Sequence, residues 1–556
     1  MNRTRIEALL ATALERLAES GTLPEIELGS MAVEKARIPD ADYSSTLALR
    51  LASAVNQPPR SIAEKIIGAL PDHPMIGSVS IAGPGFVNFV LDPAWIAGQV
   101  EAIISSDAGF GNTASLSGRR IQVEFVSVNP TGPLTVGHGR SAVIGDVLAR
   151  LLQAAGAIVE REYYINDAGN QVRMLGLSLR HQYRLRHGFE SQAPSAGYRG
   201  AYVADWAAEI NWPPEEIAEL SEPEQVERFT DWGVARALAE IKAHLAPLDI
   251  EFDSWYSESR LHADGAVTAA IQALKQRGFV QEREDAVWFA HGEDQSQANV
   301  LVKRTGEPTY LAADVAYHCD KLQLREFDTA IDIVGADHHG HTARMKAALG
   351  ALGIDPERLT YVLCQIVHVV VDGEPVRQSK RAGDFELLVQ LLDDVGADAV
   401  RYFMLSRDPN SQMEFDLDLA RRQSDENPVH KIRYAHARIA SILRRAGEQG
   451  LAPDIALLSL ITEPEEIAIV KRMLELPEVV DMAATNFEPH RLAHYSLALA
   501  SEFNSLYHRH RVISEDQRLS RARLALTRAV GITLARSLEL MGIEAPQFMQ
   551  REAGST

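Results

Sequence analysis

Residues 121–146, IQVEFVSVNPTGPLTVGHGRSAVIGD, constrain the fold more than any other stretch. Ile121 to Val126 reads as a buried strand and Asn129 to Thr135 as a connection rich in proline and glycine. Val136 onward reads as a helix, because Ala142, Val143 and Ile144 lead into Val147, Leu148 and Leu151 at helical spacing. Strand, Gly/Pro loop and helix N-terminus in that order set unpaired backbone N–H groups and a positive dipole end beside a loop that a ligand can approach, which suits a phosphate chain. Gly137 and Gly139 permit the approach, and His138 between them can donate to phosphate oxygens. For a generic loop of this composition, a βα unit whose glycines serve packing is an equal reading.

The pattern around this unit extends it. Residues 113 to about 400 alternate apolar strands with helices, the signature of an α/β parallel sheet covered on both faces, with ligands expected beyond the carboxyl ends of the strands. Between about 175 and 300 the pattern turns polar and helical and contains NWPPEEIAEL, an insertion signal. Asn166, Asp167 and Asn170, after the second strand, either cap a turn or line the pocket. Residues 1–112 form an α+β module, with helices over Ile6 to Ala18, Thr46 to Ala54 and Ser61 to Leu70. Strand-like segments follow at Ser78 to Ile81 and Phe86 to Leu91 around the Gly83-Pro84-Gly85 turn. Residues 401–556 read as an all-α bundle, a scaffold or a binding domain.

A chain of 556 residues is too long for one core and is expected to hold two to four domains. Cys319 and Cys364 cannot build a disulfide framework or a thiolate zinc site, so a reducing, cytoplasmic setting and no structural metal are expected. The first 20 residues are an amphipathic helix with acidic side chains rather than a signal peptide, and no apolar run approaches a membrane span. Net charge −21 argues against indiscriminate polyanion binding. The acidity lies upstream, since residues 401–556 hold 20 Lys and Arg against 21 Asp and Glu, leaving 35 against 55 elsewhere. Eighteen of those 20 cations are Arg, the side chain suited to stacking and bidentate phosphate contacts.

Three further motifs stand on strand ends and helix starts. In TYLAADVAYHCDKL, Tyr310 and Asp314 are four apart and share a helix face, though an Asp in a first turn is by default a charge–dipole pairing. GADHHGH offers Asp337, His338, His339 and His341, which crowd one strand end without a clear second ligand set for a metal. VRQSKRAG at 376–383 follows IVHVVVDG and by composition is a solvated basic loop.

These motifs together resemble class I aminoacyl-tRNA synthetases. TVGH corresponds to the HxGH signature, with Thr135 in place of the first histidine, and NPTGPL and GRSAVIGD are similar to the arginyl-tRNA synthetase family. RQSKR corresponds to KMSKS, with Arg377, Gln378, Ser379, Lys380 and Arg381 at the five positions. ADYSSTLALRLA and AGPGFVNFVL resemble that family's N-terminal module, which contacts the D-loop side of tRNA. ENPVHKIRYAHARIASI, YHRHRVI and MGIEAPQFM resemble its anticodon-binding domain.

The resemblance covers nearly the whole chain in the family's order and implies a Rossmann-like catalytic domain that joins L-arginine to tRNA(Arg) through an adenylate. It implies ATP with Mg²⁺, transfer to the 2′-hydroxyl, activation that needs tRNA, and a monomer. By the same resemblance, His138, Thr135, Ser379 and Lys380 serve catalysis. Pro130, Gly132, Pro133, Gly137, Gly139 and Arg377 join His138 and Lys380 around ATP. Glu124, Asn129, Tyr310, Asp314, Asp337 and His338 line the arginine pocket, where two carboxylates and an amide would suit a guanidinium fork. Tyr434, His436, Arg438, Arg509 and Arg511 would meet RNA, with Tyr507 adding a stacking face. The departures at 135 and 377 motivate one rival, a relative that has lost chemistry and binds tRNA or protein. A second is an ATP-dependent ligase with a small-molecule acceptor.

Overall fold

The computed structural model describes residues 2–25, 31–290, 299–336, 339–376 and 387–549. Its centre is a five-stranded, all-parallel sheet in the order Leu359–Cys364, Thr329–Gly335, Arg120–Glu124, Ile158–Ile165, Ser254–Ser257. The chain starts in the middle and winds outward in both directions, so Arg120–Glu124 and Thr329–Gly335 flank the point where strand order reverses. That point is where a doubly wound sheet opens a crevice for ligands. Val136–Ala154, the helix expected from the sequence, crosses the sheet closely: a Cβ on Gly145 would lie 2.2 Å from the Phe125 ring, so only glycine allows the approach.

The N-terminal module forms the expected helices, Asn2–Glu19, Leu47–Val55 and Pro59–Ala69, with Ile6, Leu10, Ala13 and Leu17 of the first buried in one stripe. Its antiparallel sheet has four strands, Val33–Lys35, Tyr43–Ser45, Phe86–Leu91 and Ile76–Ala82 in spatial order. The first two escape sequence reading because three residues cannot show a period. The module is tied to the C-terminal bundle by Lys471 to Asp42 and Lys35 to Glu475, both at 2.5 Å.

The expectation of a polar, helical stretch over 175–300 needs correction. Helices Asn170–Arg186, Ala201–Glu209, Pro214–Glu219 and Glu222–Leu245 do pack around their own core of Leu179, Tyr183, Trp206 and Phe229. Ser254–Ser257 then returns as the edge strand of the central sheet, and Val280–Arg283, Ala286–Phe289 and Asn299–Val302 form an antiparallel meander. These four-residue strands are short and half-polar, so pairing rather than periodicity defines them.

Val367–Val371 turns through Asp372 and Gly373, both at positive φ, into Glu374–Pro375, a two-residue hairpin turn of the primed type. Helices Pro428–Glu448, Pro464–Met473, Leu476–Thr485, His490–Arg509 and Gln517–Leu540 make the C-terminal bundle. Among the described residues no helix is long and apolar enough to cross a membrane.

Candidate active site

The loop between the first strand and its helix is held in strained backbone. Val126 and Ser127 have φ of 67° and 38°, and for a β-branched residue that conformation persists only where surroundings impose it. The surroundings are specific. Tyr163 donates to the Val128 carbonyl at 2.9 Å, Asn166 to the Ser127 carbonyl at 3.2 Å, and the Tyr164 N–H to Ser127 Oγ at 3.0 Å. Tyr202, from the helical insertion, donates to the Thr131 carbonyl at 2.8 Å and packs where a Cβ on Gly132 would be. Sequence reasoning missed Tyr202, and no local signal would have found it. Pro130 is buried beneath this loop, while Asn129 is exposed and Gly132 and Pro133 are partly exposed.

Thr135, in extended conformation, is the N-cap of the helix. Its backbone N–H donates to His138 Nδ1 at 3.1 Å. An accepting Nδ1 leaves the proton of a neutral imidazole on Nε2, and burial lowers the His138 pKa, which keeps the ring neutral. His138 therefore presents one donor, Nε2–H, from a fixed ring. Gly137 is exposed, and among the described residues only Thr135 Oγ1 is near a would-be Cβ. Gly139 serves packing instead, because its Cβ would lie 2.6 Å from Leu388. Leu388 N–H also donates to the Leu134 carbonyl at 3.0 Å, and Leu387 bridges Thr135. The described flank of the second signature thus docks on the first. Arg377, Gln378, Ser379, Lys380 and Arg381 lie outside the described residues, as do Asp337 and His338.

The register of the sheet aligns three acids that the sequence could not place together. Tyr361, Asp332, Glu124, Glu162 and Ser254 form one lateral row across the five strands. Arg325 takes both oxygens of Glu162 at 3.0 and 2.6 Å. Lys321 lies between the other two, 2.6 Å from Glu124 Oε2 and 2.8 Å from Asp332 Oδ1, and His318 Nε2 is 2.7 Å from Asp332 Oδ2. Burial would raise the Asp332 carboxyl, but Lys321 and His318 hold it well below the usual range. Glu124 remains above its usual value because burial outweighs Lys321 and Asp332 adds to it.

Glu124 therefore already spends one oxygen on Lys321, and cannot offer a guanidinium two free acceptors as the motif suggested. A further buried carboxylate lies near Asp314. Glu258, just after the edge strand, is 4% exposed; its Oε1 lies 3.7 Å from His262 Nε2, its Oε2 has no hydrogen-bond partner among the described residues, and burial with Asp314 and Asp167 nearby pushes its pKa up to about 7. The hydroxyls of Tyr164 and Tyr361 are likewise buried without hydrogen-bond partners among the described residues. Asp314 meets His341 Nε2 at 2.9 Å, and the exposed Tyr310 places its hydroxyl beside Gly169. Of the segment left open between capping and pocket, Asn166 braces the loop. Asp167 accepts from the Ser257 hydroxyl at 2.6 Å and the Ser259 N–H at 2.8 Å, fixing the turn that aims Glu258.

On the bundle, Arg438 lies 4.8 Å from the Tyr434 ring centroid and 5.0 Å from that of Tyr507, and donates to Asn504 at 2.6 Å. His430 stacks on Tyr434. His436 is a correction: it is buried, with Nδ1 3.0 Å from the Pro546 carbonyl, and staples the C-terminal segment. Its neighbours at 434 and 438 lie on the outer side of the same helix, a distinction that composition alone hid. Arg509 is exposed and paired with Glu465 at 2.6 Å, and Arg511 is exposed.

A doubly wound parallel sheet with a His-bearing helix start at its switch point defines a class I nucleotide-binding catalytic domain. Residues 99–203 and 221–422 match the family description "tRNA synthetases class I (R), catalytic domain". Residues 4–91 match "Arginyl tRNA synthetase N terminal domain", and residues 432–549 match "DALR anticodon binding domain". An arginine–tRNA ligase of Syntrophotalea carbinolica is 44% identical over 98% of each chain, and one of Geobacillus kaustophilus is 41% identical over 96% of each. The solved arginyl-tRNA synthetase of Thermus thermophilus superposes with TM-score 0.76 at 25% identity, covering 99% of this chain and all of its own. The chain belongs to the arginyl-tRNA synthetase family.

Proposed function

We propose that this protein ligates L-arginine to tRNA(Arg) with ATP, forming arginyl-adenylate and releasing pyrophosphate before the tRNA's terminal ribose takes the arginyl group. The observation that carries this reading is a phosphate-suited helix start at His138, beside the switch point of a sheet whose edge strand leads into the buried acid Glu258. ATP enters with Mg²⁺ on its phosphates. The N–H groups at the helix start, His138 Nε2–H and Lys380 offset phosphate charge, so the chain positions two reactants rather than supplying a nucleophile.

The sheet gives the amino acid a direction. Strands stand about 4.8 Å apart, so Glu258, after a strand two places away, lies on the order of 10 Å across the sheet from Glu124. The reacting carboxylate must reach the phosphates, so the side chain of arginine extends away from His138, toward the acids Glu124, Asp314 and Glu258 and toward Tyr310, with Asp314 a partner of the guanidinium. Asp314→Asn then raises the arginine KM by about 10-fold or more while the ATP KM stays put, since a charge-assisted partner is lost. An unchanged arginine KM would remove Asp314 from the pocket.

Arginine-dependent ATP–pyrophosphate exchange, run with and without tRNA, tests the whole reading. Exchange driven by a different amino acid, or none with purified tRNA(Arg) present, would overturn it. On the bundle, the Tyr434–Arg438–Tyr507 stack and Arg511 suit splayed bases and phosphates. Arg511→Ala should weaken tRNA binding and reduce the slope of log affinity against log salt by about 1. An identical slope would take Arg511 off the interface.

A further inference from the structure

Lys321 is fully buried, at the start of a π-helical turn, Asp320–Leu324, that ends the helix carrying Tyr310 and Asp314. Such wide turns are rare and recur at functional sites. An ammonium has three donors. Two are committed to Glu124 and Asp332, and the third side faces the Tyr317 ring, 4.1 Å from its centroid. Nothing remains to touch a substrate, so whatever Lys321 contributes to the reaction passes through its partners.

Those partners differ. Asp332 has both oxygens occupied, by Lys321 and His318. Glu124 has one oxygen on Lys321 and, among the described residues, no hydrogen-bond partner for Oε1. Sheet register places the two carboxylates side by side on adjacent strands, so without a cation between them they repel, and one takes up a proton. Glu162, next in the row, already has Arg325 and cannot relieve them.

We propose that Lys321 is a positioning residue for amino-acid recognition, holding the Glu124 side chain turned so that Oε1 faces the arginine substrate. This rests on the reading of Glu124 as an arginine-pocket residue. The role is absent from the sequence motifs because Lys321 belongs to none of them and lies 197 residues from Glu124.

The test is a double-mutant cycle on the full chain, with KM for arginine and ATP measured separately by pyrophosphate exchange. Lys321→Met should raise the arginine KM by at least about 10-fold with the ATP KM nearly unchanged, as expected when a charged acceptor is neutralised. Lys321→Met combined with Glu124→Gln should be no worse than Glu124→Gln alone, because the first acts only through the second. A general packing lesion would instead multiply the two losses and move both KM values. Should Lys321→Met fail to fold, Lys321→Met with Asp332→Asn removes one cation and one anion together, and its arginine KM should still rise. A folded variant of either kind with wild-type arginine KM, or multiplicative losses in the cycle, overturns the proposal. Wild-type protein without arginine-dependent exchange overturns the proposed function and this inference with it; active wild type separates the two.

Discussion

Replacing His138 with alanine is expected to lower kcat for arginine-dependent pyrophosphate exchange by about 10²–10³-fold, the loss that follows removal of one preorganised donor from a charge-stabilising site. The ring is oriented by the Thr135 N–H to Nδ1, and its removal leaves the backbone of the helix start in place, so the loss falls on chemistry. Thr135→Ala should cost far less. The Thr135 backbone N–H orients the ring and alanine retains it; what alanine loses is the other half of the capping box, the Thr135 side chain on the His138 backbone N–H. Thr135→His should be tolerated, because position 135 is exposed. Exchange in His138→Ala within a few-fold of wild type would show that the donors at the helix start suffice without the imidazole.

Glu258→Gln should raise the arginine KM by about 10²-fold and at the same time stabilise the protein, since a buried carboxylate with one oxygen unsatisfied among the described residues is a cost that a cationic ligand repays. The folded-state pKa, about 7, lies above the unfolded value near 4.5. The native state therefore binds the proton more tightly, and Glu258 lowers stability progressively as pH rises from about 4.5 through 7. The variant should gain about 1–3 kcal/mol in denaturant unfolding at pH 8 and little at pH 5. Arginine binding runs the other way, because the guanidinium needs the carboxylate. The arginine KM of the wild type should fall as pH rises through 7 and level off above it, while His262, Asp314, Asp167 and Tyr164 are the titratable neighbours that shape the curve. A Glu258→Gln variant that keeps the wild-type pH profile would assign that titration to another group.

What the sequence legibly carried was local. Ile121 to Asp146 announced a strand, a loop and a helix start because burial, turn chemistry and helical spacing are each written within a few residues. The same holds for the amphipathic stripe of Asn2–Glu19 and the Asp372-Gly373 hairpin. Thr135 and His138 were legible as a pair for the same reason. Motif resemblance also reached Glu124, Asn129, Tyr310 and Asp314, one residue at a time.

Only the tertiary structure decided which of these groups are free to act. Sheet register, fixed by pairing between segments up to about 200 residues apart, put Asp332, Glu124 and Glu162 abreast, and so created the demand that Lys321 and Arg325 meet. Burial then separated the acids: Glu124 has a cation on one oxygen, while Glu258, unmarked in the sequence, has one oxygen without a hydrogen-bond partner among the described residues and a raised pKa. The same effect turned His436 inward and left Tyr434 and Arg438 facing outward on one helix. Residue type and local spacing determine what a side chain can do; desolvation and long-range partners determine whether it is available, and neither has a local signature.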